Sequence, residues 1–122
     1  MNDIDKRGPP VLLVHGILDS ADSWVSYGDS SPALVLVSQG YDVWLLNLRG
    51  TKKSKRHTTI PIDGEEFWNF SWEENGLYDI PNAMDFILDR VNIKHTKVTV
   101  VSHSMGSTAI LFGMSMNPDF YT

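Results

Sequence analysis

The chain has 122 residues, of which 42% are hydrophobic and 20% charged, and its formal net charge is −5 at pH 7. This composition is typical of one globular domain and excludes a disordered segment, while the negative charge argues against nucleic acid or an anionic membrane as the partner. The chain has no cysteine, which excludes disulfides and cysteine-ligated metals. No apolar run approaches the roughly eighteen residues that a membrane span requires.

Two short apolar runs in the first half of the chain predict buried strands. The first is Val11–Val14, introduced by Pro9-Pro10, and the second is Val43–Leu46. Between them, Ser31-Pro32 has the pattern of a helix start, and Gly40 that of a helix end. The first half therefore predicts a strand, a helix and a second strand.

The second half of the chain predicts a loop, a helix, a third strand and a last helix. The loop is Thr51–Gly64, and Asp79 is expected to cap a helix with Pro81 in its first turn. The third strand is Val98–Val101, and Asn117-Pro118 ends the helix that follows it. This alternation predicts a parallel sheet with helices on both faces and right-handed crossovers. Since all three strands are almost continuously apolar, each is expected to be buried on both faces.

The candidate nucleophile is Ser104, which lies in the sequence Ser102-His103-Ser104-Met105-Gly106. This sequence differs at one position from Gly-x-Ser-x-Gly, the motif that exposes a serine on a strained turn between a strand and a helix. The flanking residues must be small because the two backbones come close together. Gly106 meets this requirement, whereas Ser102 carries a Cβ atom and requires the turn to relax slightly.

A second catalytic element is predicted at His15-Gly16, directly after the first strand. In this architecture one oxyanion donor is a backbone N–H in that loop and the other belongs to the residue after the nucleophile, here Ile17 and Met105. Losing one such donor typically raises the barrier by about 3 kcal/mol. We interpret His15 as a residue that shapes the loop and His103 as structural, so neither is expected to act as the base.

With these motifs in place, the chain resembles the acid-lipase family of α/β-hydrolases, which includes gastric and lysosomal lipases. The similarity runs from Pro10 to Pro118 and is carried by Val14–Leu18 with Trp24, Gly40–Trp44, Asn47–Gly50, Glu66–Ser71, Tyr78–Pro81, Asp85–Ile87 and the elbow. It implies a partial α/β-hydrolase fold, with the Val11 strand central among three parallel strands. It also implies a serine esterase that cleaves triacylglycerols or sterol esters and needs no cofactor.

The resemblance divides the chain into a polar lead, residues 1–8, and the N-terminal part of a hydrolase domain, residues 9–122. It implies that the protein is lysosomal or secreted. The lead has no apolar stretch that would serve as a signal peptide, so we expect that the protein is not secreted or that its start is missing.

Part of the catalytic machinery of this family is expected after the nucleophile, in the chain order serine, acid, histidine. After Ser104 the sequence holds only Asp119 and no histidine, so the base for the serine proton is missing. Met105 stands where the family usually has glutamine, a mild change because the contact is made by the backbone. Two hypotheses follow. The chain is part of a longer lipase, or it is a truncated, inactive relative that serves as a structural or interaction subunit of an assembly.

Three other surfaces are interpreted from the sequence. The edge of the strand Val98–Val101 is expected to be unpaired, and therefore covered by a protein partner or a missing downstream segment. The cluster Lys52-Lys53-Ser54-Lys55-Arg56 is interpreted as a solvated loop rather than a phosphate-binding patch. Trp68 and Trp72 are expected to pack under the sheet edge rather than to contact an acyl chain. No histidines or carboxylates have the spacing of metal ligands.

Overall fold

The sheet consists of three parallel strands with the first strand in the centre. The computed structural model describes residues 7–91 and 94–122. The strands are β1 (Pro10–Val14), β2 (Asp42–Leu46) and β3 (Thr99–Ser102), in the order β2-β1-β3. The predicted partial α/β-hydrolase sheet with a central Val11 strand is therefore confirmed, and β3 begins and ends one residue later than predicted.

Helices cover both faces of the sheet because successive side chains of β1 point to opposite sides. Val11 and Leu13 pack against one helix, while Leu12 and Val14 pack against helices on the other face. The helices are α1 (Pro32–Ser38), α2 (Glu65–Trp68), α3 (Trp72–Glu74), α4 (Ile80–Leu88), α5 (Met105–Met116) and α6 (Pro118–Tyr121). Within the described residues, none of them is long and apolar enough to cross a membrane.

Helix α1 begins and ends where the sequence predicts. Ser31 precedes Pro32, although its hydroxyl accepts from the Tyr27 N–H at 2.8 Å and not from the helix itself. Gly40 has a φ of 90°, which glycine adopts without strain, and the chain turns there toward β2. Short 3₁₀ turns at Ala21–Val25 and Gly28–Ser30 occupy the segment before α1.

Helix α4 begins directly after Asp79 and has Pro81 in its first turn, as predicted, but the Asp79 side chain does not cap it, because this residue lies inside a continuous helical run over residues 72–88. The run begins at Ser71, whose hydroxyl accepts from the Glu73 N–H while the Glu74 carboxylate accepts from the Ser71 N–H at 2.7 Å. This capping box also holds the pKa of Glu74 below its ordinary value of 4.5. A π-helical segment, Asn75–Asp79, joins α3 to α4.

The π-helical segment is tied to the end of the chain through Gly76. The Tyr121 hydroxyl donates to the Gly76 carbonyl at 2.6 Å, and burial raises the pKa of Tyr121 to about 12. A Cβ atom on Gly76 would lie 2.2 Å from the Ala109 carbonyl oxygen, so the π-helical segment and α5 touch backbone to backbone. The close contact fixes the helical run against the helix that follows Ser104.

Burial of the strands differs from the prediction, because only β1 is buried on both faces. All five of its residues are buried, whereas β2 and β3 are half-buried, and Val101 is 40% exposed. On α5, Leu111 and Met116 are exposed, although a helix that is apolar on every side is typical of a protein interior. Among the strands of the described residues, none pairs with the outer edge of β3.

Candidate active site

Ser104 lies on a sharp turn between β3 and α5. Its φ of 52° and ψ of −121° fall in a region that residues with a Cβ atom rarely adopt, and its side chain is exposed. The turn is closed by the Gly106 N–H donating to the His103 carbonyl at 3.0 Å and the Ser107 N–H donating to the Ser104 carbonyl at 2.9 Å. The geometry lifts the Ser104 hydroxyl above the carboxyl ends of the parallel strands.

Small residues on both sides of the turn allow three backbones to meet. A Cβ atom on Gly106 would lie 2.7 Å from the His15 carbonyl oxygen, so a side chain there would push α5 away from β1. A Cβ atom on Gly16 would lie 3.0 Å from the Ser104 Cβ. Ser102 is half-buried, and its hydroxyl is 2.8 Å from that of Ser107. The hydrogen-bonded pair accommodates serine where the motif usually has glycine.

The two predicted oxyanion donors both belong to residues close to Ser104 in the structure. Ile17 follows Gly16, which packs on Ser104, and Met105 is the first residue of α5. In the described part of the chain, neither the Ile17 N–H nor the Met105 N–H donates to a protein acceptor. The first N–H groups of a helix have no intrahelical partner and carry partial positive charge. Both groups are therefore available to an oxygen beside Ser104.

His15 has the contacts of a residue that shapes the loop. It is only 2% exposed, and its Nε2 accepts from the Leu48 N–H at 3.1 Å. Because Nε2 is an acceptor, the ring proton lies on Nδ1, which donates to the Gly16 carbonyl at 2.8 Å. Both ring nitrogens are thus occupied, and His15 holds the loop after β1 against the loop after β2. His103, in contrast, is exposed beside Gly16.

A cleft of about 460 Å³ opens between these two loops and the aromatic segment that precedes α3. Its wall is mainly apolar and includes Ile17, Leu18, Leu48, Trp68, Phe70, Trp72 and Met105. The expectation that Trp68 and Trp72 pack under the sheet edge is wrong, because each lines this cleft and is 46% exposed. The Trp68 ring is held in place by its Nε1–H, which donates to the Ile62 carbonyl at 2.8 Å.

The wall of the cleft is held by an ion pair that the sequence interpretation missed. Arg49, in the loop after β2, donates to Asp79 through Nε at 2.9 Å and Nη2 at 2.7 Å, and through its backbone N–H at 3.2 Å. Asn75 donates to the same carboxylate at 2.8 Å. Gly50 has a φ of 85°, and a Cβ atom there would lie 2.8 Å from the Phe70 ring. Both partners lie in motifs that carry the family resemblance, Asn47–Gly50 and Tyr78–Pro81, but no local sequence pattern indicates that they pair.

An exposed serine on a strained turn between a parallel strand and a helix is typical of the α/β-hydrolase class. The family model described as the alpha/beta hydrolase fold matches residues 9–119, and the chain belongs to this family.

Within that class, the chain is similar to lipases. It is 41% identical to Lipase 1 of Drosophila melanogaster over 122 residues, covering 98% of this chain and 27% of the relative. It is 37% identical to lysosomal acid lipase/cholesteryl ester hydrolase of Homo sapiens over 120 residues, covering 97% and 30%. It is 41% identical to gastric triacylglycerol lipase of Bos taurus over 118 residues, covering 96% and 29%. The predicted resemblance to acid lipases is confirmed, and the chain spans less than a third of the length of these relatives.

Proposed function

We propose that the chain carries the nucleophile and the oxyanion hole of a serine lipase that hydrolyses lipid esters. The observation that carries this proposal is the turn at Ser104, where a strained, exposed serine packs against Gly16 and directly precedes α5. A turn of this kind costs stability and is retained where it aims a side chain at a reacting atom.

In the proposed reaction, the Ser104 hydroxyl oxygen attacks the carbonyl carbon of the ester. The carbonyl π electrons move to the oxygen, and the N–H groups of Ile17 and Met105 donate hydrogen bonds to the negative charge that develops there. Collapse of this intermediate breaks the bond to the alcohol and leaves an acyl group on Ser104, which water then removes. The base accepts the serine proton and delivers it to the departing alcohol.

Among the described residues, no histidine is hydrogen-bonded to the Ser104 hydroxyl as a base would be. His15 is occupied at both ring nitrogens, and after Ser104 the sequence has no histidine. A carbonyl oxygen held by the oxyanion donors is nevertheless polarised without the base, and oxyanion-hole contacts and binding alone supply a residual acceleration of about a thousandfold in serine hydrolases.

The substrate class is supported by the cleft. Ser104 does not line the cleft itself, but Ile17 and Met105 do, so an acyl group bound at their N–H groups would extend toward Trp68 and Trp72 on the same wall. Two of the similar proteins are named for triacylglycerol and cholesteryl ester. We therefore propose triacylglycerols or sterol esters as the substrates of the completed enzyme.

Labelling with a fluorophosphonate tests the nucleophile. We expect the folded chain to form an adduct at Ser104, identified by mass spectrometry of the modified peptide. The adduct should disappear in Ser104→Ala and in urea, and persist in Ser115→Ala, the same change at an exposed position of the same helix. A folded chain without modification at Ser104 would contradict the proposal and favour the structural-subunit hypothesis.

A further inference from the structure

The basic cluster at residues 52–56 concentrates positive charge in an otherwise acidic chain. It holds four of the ten lysines and arginines, whereas the rest of the chain has six basic residues and all fifteen acidic ones. All four basic side chains are exposed. Lys53 pairs with Asp22 at 2.8 Å, which lowers the pKa of that carboxyl group. In the described part of the chain, no carboxylate lies within 4.0 Å of the charged groups of Lys52, Lys55 or Arg56.

An apolar rim adjoins this cluster at the mouth of the cleft. Leu18 is fully exposed at 101%, and the rings of Trp68 and Trp72 are each 46% exposed. The Lys55 ammonium lies 5.6 Å from the centre of the Trp68 ring, so the basic cluster touches the rim directly. Exposed apolar groups of this size, next to one another on the surface, are typical of an interaction site.

We propose that the basic cluster and the apolar rim together form a docking surface for an anionic lipid surface. Each basic side chain near such a surface strengthens binding about fivefold, and tryptophan and leucine enter the region between headgroups and acyl chains. The net charge of −5, which for the chain as a whole argues against an anionic membrane, has little effect at this cluster, because charges separated by more than about 8 Å are largely screened at physiological ionic strength. Docking presses the mouth of the cleft against the lipid that holds the substrate.

The structure favours a lipid surface over a free anion as the partner. The four basic side chains line one open hollow of about 430 Å³. A site for a free phosphate directs several donors at one point, whereas Lys55 here lies over an aromatic ring and Lys53 is paired with Asp22. The fully exposed Leu18 side chain offers no charge or hydrogen-bond donor to a soluble anion, but it is suited to insertion into lipid. The inference rests on the proposed function for its biological reason, while its test measures binding rather than hydrolysis.

Vesicle flotation tests the docking surface, because bound chain rises with the vesicles and aggregated chain sediments. We expect binding to phosphatidylcholine vesicles that contain phosphatidylserine, and a decrease as NaCl is raised. Lys52→Gln/Lys55→Gln should weaken this binding about 25-fold, from two fivefold losses. Leu18→Asn should weaken it about tenfold, since asparagine tolerates the positive φ of 58° and removes the apolar side chain.

Arg90→Gln/Lys97→Gln is the matched control, with the same loss of charge. These residues follow α4 and precede β3, so they lie at the opposite end of the parallel strands from the loop after β2. We expect this variant to bind as the unmodified chain does. Equal loss in both double variants, equal binding to pure phosphatidylcholine, or no binding at all would each overturn the proposal.

Inorganic phosphate separates the two sources of negative charge. Phosphate and NaCl of equal ionic strength should release the chain from the vesicles equally, and stronger release by phosphate would overturn the proposal in favour of a free-anion site. Fluorophosphonate labelling of the same samples distinguishes failure of docking from failure of the proposed function. Labelled chain that does not float contradicts docking alone, and floating chain that is not labelled contradicts the nucleophile alone.

Discussion

Replacing Ser104 by glycine is expected to stabilise the fold while it abolishes the nucleophile. At φ 52° and ψ −121°, a residue with a Cβ atom is strained by about 1–3 kcal/mol. Glycine removes this strain, but it adds conformational freedom to the unfolded chain that costs about 0.4–1 kcal/mol. The difference predicts that Ser104→Gly raises the free energy of unfolding by about 1 kcal/mol.

Ser104→Ala is the matched comparison, because alanine removes the hydroxyl but keeps the Cβ atom and the strain. Its stability should equal that of the unmodified chain, since the Ser104 side chain is exposed. Urea unfolding followed by tryptophan fluorescence measures both variants, and about 1 kcal/mol corresponds to a midpoint shift of about 0.5 M. If Ser104→Gly unfolds at the same urea concentration as Ser104→Ala or earlier, the reasoning about strain at the elbow is refuted.

Four further predictions concern the contacts that support the cleft and the open edge of the sheet. Tyr121→Phe leaves the buried Gly76 carbonyl without its donor, and urea unfolding should show a loss of about 1–3 kcal/mol. Asp79→Asn breaks the ion pair with Arg49, whose side chain is 34% exposed. The free energy of unfolding should fall by about 1–3 kcal/mol, between the values for exposed and buried pairs, and no loss would contradict the role of this pair. Because the pKa of Glu74 is lowered by folding, its stabilising contribution is present above pH 4.5 and is lost on acidification below it. Helix content measured by circular dichroism should therefore fall on acidification, and it should fall less in Glu74→Gln. With the outer edge of β3 unpaired, the purified chain should self-associate in light scattering, and a monomer with a sharp melting transition would count against that.

The sheet and the elbow were predictable because their signals are local. An apolar run between proline or glycine residues indicates a buried strand, and a small-residue pattern around Ser104 indicates a turn between strand and helix. The order of the strands required more, namely the resemblance to a family of known fold. It was confirmed because the spacing of the motifs in this chain matches that family from Pro10 to Pro118.

The helix that begins after Asp79 was predicted, but the helical turns that precede it were not. Pro81 indicates a first turn because proline lacks the N–H that interior positions need, and Asp79 before it resembles a cap. The structure instead continues through this region with a π-helical segment, and uses the Asp79 carboxylate for Arg49, 30 residues away in the chain. The true start was visible as the Ser71-x-x-Glu74 pattern of a capping box.

The surroundings of the cleft were not predictable from periodicity, because exposure depends on which elements cover a side chain. Trp68 and Trp72 have large aromatic side chains of the kind that usually pack in a core. In the structure, the Gly50 turn and the Arg49–Asp79 pair hold the aromatic segment on the wall of the cleft instead. Likewise, Thr99 and Val101 on β3 have the pattern of a buried strand, and they are exposed where no described strand lies beside them.

The most direct test of an oxyanion hole without its base is to supply the base from solution. Imidazole has the chemistry of the missing histidine side chain, and Ser104 is exposed enough for it to approach. We predict that the rate of fluorophosphonate labelling at Ser104 rises in proportion to the concentration of neutral imidazole, with no such rise at Ser115 or in urea. Labelling at Ser104 that is independent of imidazole, or no faster than at Ser115, would contradict the claim that this chain presents a nucleophile beside a formed oxyanion hole.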